Sequence, residues 1–239
     1  MICYTVTLNL EIDVQITDSV AVQPEHITSQ QADSFVVGQT TESLTRIYEE
    51  QINLVALERE LTTEVTEFCR QLAKSKPNFN LRSAIPHEAS IDSLNSTLPD
   101  LPGKFEFVED LALLIDMYAC LFDLGEVGLR MQVLNRAMCP RFHTDKLGCR
   151  LVTTYLGTGT EWLPNHGLDR TKLGRGSNGL PDADTGLYLT ESCIRQVTAG
   201  DIVLLKGEGW HGNEDFGAVH RSPAVEAGEN RVVVTMDFA

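Results

Sequence analysis

Apolar and polar residues alternate strictly at the start of the chain. Ile2, Tyr4, Val6, Leu8, Leu10, Ile12, Val14 and Ile16 fall on one side, with largely polar residues between them. A period of two predicts a half-buried strand over 2–16, bent or split in two. Residues 17–42 lose that pattern and are rich in Ser, Thr, Gln and Asp, which predicts an irregular connection open to disorder. A short helix over 43–51, with Ser43 as its cap, and a short strand over 53–57 follow. Residues 58–74 then read as an amphipathic helix with Leu61, Val65, Phe68, Cys69 and Leu72 on one stripe, closed by Pro77. The stretch 77–103 holds four prolines and little periodicity, and is read as a loop. Residues 107–124 form a strong helix with Leu111, Leu114, Ile115, Tyr118, Leu121 and Phe122 on its apolar face, ended by Gly125.

From Val127 the pattern changes to short β-rich runs separated by Gly, Pro, Asn and Asp. Eight are expected: 127–135, 149–156, 160–163, 186–190, 194–197, 201–206, 217–221 and 231–238. Regularly spaced short strands suit a sandwich or barrel, and eight suit a jelly roll of the cupin kind. The polar, Gly-rich segment 164–184 interrupts them and is read as a mobile loop over the barrel mouth. The fold class expected is therefore α+β: a double-stranded β-helix (cupin-like jelly roll) in the C-terminal half, with the N-terminal helices packed on one sheet. Residues 1–103 form an N-terminal extension of strands, helix and loops. Residues 104–239 form a supporting helix plus the metal-binding jelly roll, the two making one integrated fold.

Composition excludes some functions. The 239 residues carry a net charge of −15. Neither a nucleic-acid backbone nor an anionic membrane surface suits such a chain, because both need a basic patch. No apolar run approaches a membrane span, and no signal-peptide pattern opens the sequence. Six cysteines are scattered without a CxxC pair, which predicts a reducing, cytoplasmic setting with mostly buried thiols. Neither the substrate nor the oligomeric state is legible.

The candidate chemistry centres on His143-Thr144-Asp145. In extended chain, residues i and i+2 point to the same side, so the imidazole and carboxylate can grip one divalent metal. A later histidine would complete a 2-His-1-carboxylate face for that metal. His220, in Ala-Val-His-Arg-Ser-Pro, is the candidate. Arg231 opens the last strand after a turn at 227–230, and a hairpin would bring His220 and Arg231 to one end of a sheet. A guanidinium fork there suits an anionic carboxylate. Alone, His-x-Asp arises easily by chance and reads as a surface pair; His220, Arg231 and the strand order turn the balance to a metal site. No further catalytic side chain is read. Arg231 is equally a strand-end salt-bridge residue, and Arg150 reads as structural. Tyr155 reads as core or as a hydroxyl reaching an oxoanion. Cys139 and Cys149 read as buried thiols, Trp162 and Trp210 as core or loop anchors, and His87, His166 and His211 as surface residues. Glu161 can stand behind the ligands.

In these segments the chain resembles the iron- and 2-oxoglutarate-dependent dioxygenases, particularly the prolyl-hydroxylase-like branch. That branch shows His-x-Asp, a following Arg, Thr-x-x-Tyr-Leu and a Gly-Gly-Glu-Thr-like turn. Here stand His143-x-Asp145, Arg150, Thr153-Thr154-Tyr155-Leu156 and Gly157-Thr-Gly-Thr-Glu161, then Gly200-Asp201, His220 and Arg231 in the same order. The resemblance spans about residues 127–239. It implies Fe(II) held by His143, Asp145 and His220, 2-oxoglutarate as co-substrate, and Arg231 and Tyr155 as co-substrate contacts. The His220–Arg231 interval is one residue longer than the commonest one, and Cys139 and Pro140 are not features of the hydroxylases. Over most of its length the chain also resembles an uncharacterised bacterial family with a domain of unknown function. In that family the Cys-Pro-Arg-Phe-His-x-Asp, Gly-Thr-Glu-Trp and Val-His-Arg-Ser-Pro segments recur. Members tend to sit beside zinc-homeostasis genes, which implies a second role, metal handling with Zn(II) and no catalysis. That metal would be held by His143, Asp145, His220 and Cys139; Cys139, His143 and Cys149 offer it a softer set, at a spacing that is not a standard zinc signature.

Overall fold

The structure, a computed structural model, describes residues 33–239. The strand expected over 2–16, and most of the connection after it, lie outside the described residues. Ten strands and three α-helices follow: β1 (Phe35–Gly38), β2 (Leu54–Leu57), α1 (Thr63–Ser75), β3 (Asn80–Pro86), α2 (Ser90–Thr97), α3 (Lys104–Phe122), β4 (Glu126–Leu134), β5 (Cys149–Leu156), β6 (Glu161–Leu163), β7 (Arg195–Gln196), β8 (Ile202–Lys206), β9 (Val219–Arg221) and β10 (Arg231–Phe238). A seven-stranded sheet runs β1-β2-β8-β5-β10-β4-β3, and a three-stranded sheet runs β7-β6-β9. Strands β1, β2 and β3, all drawn from the first 103 residues, therefore share one sheet with strands from the second half.

Period-two alternation divides the large sheet into two faces. Leu129 and Met131 of β4, Leu151 and Tyr155 of β5, Ile202 and Leu204 of β8, and Val232, Val234 and Met236 of β10 form one core with the three helices. Val152, Val203, Leu205 and Val233 look the other way and pack with Trp162 of β6 and with Val197 and Ala218, the residues beside β7 and β9. The small sheet thus covers the face the helices leave open. β10 has both faces covered, and six of its eight residues are buried, as a continuous Val-rich run requires. Phe142, Leu163, Leu187 and Val219 make a third, smaller apolar cluster.

The helices follow from local chemistry. Thr62 caps α1, its side chain accepting from the Val65 amide, and Val65, Phe68, Cys69 and Leu72 are its buried stripe. Helix α3 starts after Gly103, whose φ of +78° brings the chain against α1; a Cβ there would stand 2.1 Å from the Glu64 carbonyl oxygen.

Several expectations are corrected. The loop expected over 77–103 contains β3 and α2. β3 is an edge strand with only Ile85 buried, and α2 buries only Ser90 and Leu94, so neither shows an apolar period. The helix expected over 43–51 is a 3-10 turn, Thr41–Tyr48, with Thr40 rather than Ser43 at its cap position. Residues 186–190 form no strand: Gly186 turns at φ +76°, Leu187 enters the third cluster and Leu189 is exposed. β9 and β10 are not a hairpin, because β9 belongs to the small sheet and β10 to the large one. The segment 164–184 is built of three 3-10 turns, Arg170–Lys172, Gly174–Ser177 and Asp182–Asp184, and side-chain bonds fasten it to its neighbours.

Candidate metal centre

His143 follows β4 in a short extended segment, and His220 is central in β9. Their backbones exchange two hydrogen bonds, His143 N to His220 O and His220 N to His143 O, both 3.0 Å. This is the hydrogen-bonded pair of an antiparallel ladder. It sets the two rings side by side, with centroids 4.5 Å apart. The residue between His143 and Asp145 points elsewhere: Thr144 donates its hydroxyl to Glu208. Asp145 returns to the histidine side. Its carboxylate oxygens lie 4.0 Å from His143 Nε2 and 3.6 Å from His220 Nε2. One donor atom from each residue falls within 4.8 Å of the other two.

The hydrogen bonds fix which ring nitrogen is free. His143 Nδ1–H donates to the Arg141 carbonyl at 2.9 Å, and His220 Nδ1–H donates to the Ala218 carbonyl at 3.0 Å. Nδ1 is thereby the donor in each ring, and Nε2 is the nitrogen that faces Asp145 and is placed to take a metal. Burial depresses His220 to about 4, against the pull of Asp145 in the opposite direction. His220 is thus neutral at ordinary pH. Asp145 is held by Arg150, whose Nη1 donates to its Oδ2 at 2.9 Å, while Arg150 Nε and Nη2 both reach Asp237 at 2.7 Å. The donor set fits a divalent metal: two imidazoles presenting Nε2 and one oriented carboxylate.

A cavity beside this cluster is lined by Met138, Cys139, His143, Arg150, His220 and Arg231, among others. Arg231 is 2 % exposed. Its Nε donates to the Thr158 carbonyl at 2.8 Å, and its Nη2 to Thr154 Oγ1 at 2.8 Å and Thr160 Oγ1 at 3.0 Å. Gly157 makes this cradle possible: at φ +85° it turns β5 beside β10, and a Cβ there would meet the Asn230 carbonyl at 2.9 Å. Among the described residues no carboxylate pairs with Arg231. Desolvation alone acts on it and lowers it to about 10.

Tyr155 does not belong to the site. Arg150, Val152 and Thr154 occupy the cavity face of β5, so Tyr155 falls on the helix face. There it is buried, stacks edge-on against Phe107 and donates its hydroxyl to Asp110 at 2.6 Å. Arg59 grips the same carboxylate through two nitrogens. Cys149 is also on the helix side and fully buried, with its thiol pushed up by desolvation. Cys139 lines the cavity but is not one of the clustered donors. Glu161 accepts from Arg221 Nε at 2.6 Å, beside His220. One contributor had little sequence signal: Arg150 shows its role only through its spacing from Asp145.

Large sheet, small covering sheet and His-Asp-His cluster define an α/β protein with a candidate metal site. The chain belongs to the family described as "Protein of unknown function (DUF1826)", whose model matches residues 38–237. A comparison with curated proteins finds no match. Among solved structures, the chain is similar to a dioxygenase for auxin oxidation from rice (13 % identity, 85 % of this chain and 82 % of that one, TM-score 0.46). It is also similar to a Pseudomonas putida prolyl-4-hydroxylase (10 %, 83 % and 97 %, 0.39). A third is the full-length Neurospora crassa T7H in complex with alpha-KG (12 %, 85 % and 83 %, 0.43). No helix among the described residues is long and apolar enough to cross a membrane.

Proposed function

We propose that this protein is an Fe(II)- and 2-oxoglutarate-dependent oxygenase built on a double-stranded β-helix, working in the reducing cytoplasm that its free thiols suit. His143, Asp145 and His220 would hold the metal, the face that selects non-haem Fe(II). Bound Fe(II) would couple the splitting of O2 to decarboxylation of 2-oxoglutarate, giving succinate, CO2 and one oxygen atom for the substrate. The chain's own residues bind and orient. Arg150 keeps Asp145 turned toward the imidazoles. Arg231 takes the far carboxylate of the co-substrate, and Thr154 and Thr160 keep its fork in place. Apolar Val152 and Val233 in the cavity wall limit water. A cleft on another side of His143, lined by Lys146, Arg170, Leu173 and Phe216, gives room for the primary substrate.

The observation that carries this reading is Arg231. A buried guanidinium without a carboxylate partner is costly, and it lines the same cavity as both histidines. An anion accepting from the remaining Nη1 would offset that cost. Zn(II) fits the same three donors, but a zinc carrier has no use for the cationic fork. The test is anaerobic loading with Fe(II), addition of 2-oxoglutarate and then air. Succinate forming in an O2-dependent, Arg231-dependent way supports the reading. A folded, iron-loaded protein that binds no 2-oxoglutarate overturns it.

A further inference from the structure

Asp182 reaches from the last 3-10 turn of segment 164–184 into the ground behind both histidines. Its side chain is 6 % exposed. One carboxylate oxygen accepts from Arg141 Nε at 2.7 Å. The other accepts from the Phe142 amide at 2.9 Å and from Arg221 Nη1 at 3.3 Å. Phe142 immediately precedes His143, and Arg221 immediately follows His220. The Arg221 guanidinium also lies over the Phe142 ring, 4.2 Å from its centroid, and bonds Glu161. One buried acid therefore joins the two extended segments that bear the imidazoles.

We infer that Asp182 is a positioning residue for the metal centre, locking the register of the 141–143 segment against β9. This rests on the metal-site reading above. The His143–His220 contact is a single isolated bridge, not a long ladder. That bridge has two backbone hydrogen bonds, and one more, Ser222 N to Cys139 O at 2.9 Å, joins the same stretches; so few bonds at the margin of a sheet fray readily. A charge-assisted clamp on the residues flanking that bridge supplies what ladder length does not. Segment 164–184 thereby becomes part of the metal centre's frame.

The test uses the full chain and Co(II) as probe, with affinity from chelator competition and the site's geometry from the visible spectrum. Asp182→Asn keeps the volume but turns one acceptor into a donor facing donors. It should weaken Co(II) binding about 10-fold and alter the spectrum. Asp201→Asn is the control. Asp201 is similarly buried and accepts from the Thr198 and Arg59 amides, away from both histidine strands. It should lower thermal stability and leave Co(II) affinity and spectrum intact. Equal Co(II) binding by Asp182→Asn and wild type, or equal losses in both variants, overturns the inference. Wild type that binds no metal overturns the metal-site reading and the inference with it. Should Asp182→Asn not fold, Arg141→Ala removes one strut from the half-exposed side, and unchanged Co(II) affinity and spectrum there overturn the inference too.

Discussion

Thr154 and Tyr155 are adjacent in β5 and serve opposite sides of the sheet: Thr154 accepts from Arg231 in the cavity, and Tyr155 donates to Asp110 under helix α3. On the proposed reading, two neighbouring side chains divide the seating of the co-substrate arginine from the fastening of a helix, and their variants should separate cleanly.

Tyr155→Phe removes one hydrogen bond and leaves Asp110 with Arg59. Stability should fall by about 1–2 kcal/mol, measured by denaturant unfolding. Affinities for metal and 2-oxoglutarate should stay at the wild-type value in calorimetry. A loss of 2-oxoglutarate binding would return Tyr155 to the site.

Arg231→Met replaces a buried cation that no carboxylate pairs with among the described residues by an apolar chain of similar length. Binding of 2-oxoglutarate should weaken by about 100-fold or more, within the 2–5 kcal/mol typical of a broken buried pair. Metal affinity should hold. Without ligand the melt should stay near wild type, relief of the desolvated charge being set against the Thr158 carbonyl and the Thr154 and Thr160 hydroxyls that lose their donor. Calorimetry and thermal melts read the two effects separately.

Arg150→Ala leaves Asp145 and Asp237 without their shared cation. Metal affinity should drop about 10-fold, and the metal-free protein should lose about 2 kcal/mol, because both carboxylates are largely buried. Bound metal gives Asp145 a new positive partner, so the stability deficit should shrink when metal is present. A deficit that ignores metal would mean Arg150 serves only Asp237.

Lys206 is a second buried cation on the helix face, giving one hydrogen bond to the Glu49 carbonyl and lying over Trp210. Burial lowers its pKa, against the nearby Cys149 and the Glu49 and Glu50 carboxylates. With the folded value below the unfolded one, the unfolded chain holds more protons between the two. This group therefore makes stability rise with pH across that window. Lys206→Met should remove that rise. The variant's stability relative to wild type should be greatest near neutrality and decline as pH climbs toward the ordinary lysine range. Denaturant melts of both proteins across alkaline pH check it.

Much of the large sheet was legible because its strands are buried and regular. Residues 149–156 and 231–238 are found where alternation and a Val-rich run put them. What escaped was weakly apolar. β3, Asn-Leu-Arg-Ser-Ala-Ile-Pro, needs no apolar period, since it is an edge strand paired only with β4. The clustering of His143, Asp145 and His220 follows from one i, i+2 spacing and one strand pairing. Of its two readings Tyr155 takes the core one, as the same rule requires: Arg150 and Tyr155 differ by five and so face opposite ways. Asp182 left no trace in the pattern, because a carboxylate that clamps backbone from a loop needs no periodic neighbours.

Strand β10 lies between β5 and β4, inside the large sheet, though every other strand precedes it in sequence. On the ribosome, β4 and β5 must therefore wait with a vacant slot between them until residues 231–238 emerge. Until then the helix-side core lacks Val232, Val234 and Met236, and the cavity lacks Arg231. Nascent chains stalled before residue 231 should expose two unpaired strand edges at once, making them natural clients for chaperones that shield sticky intermediates.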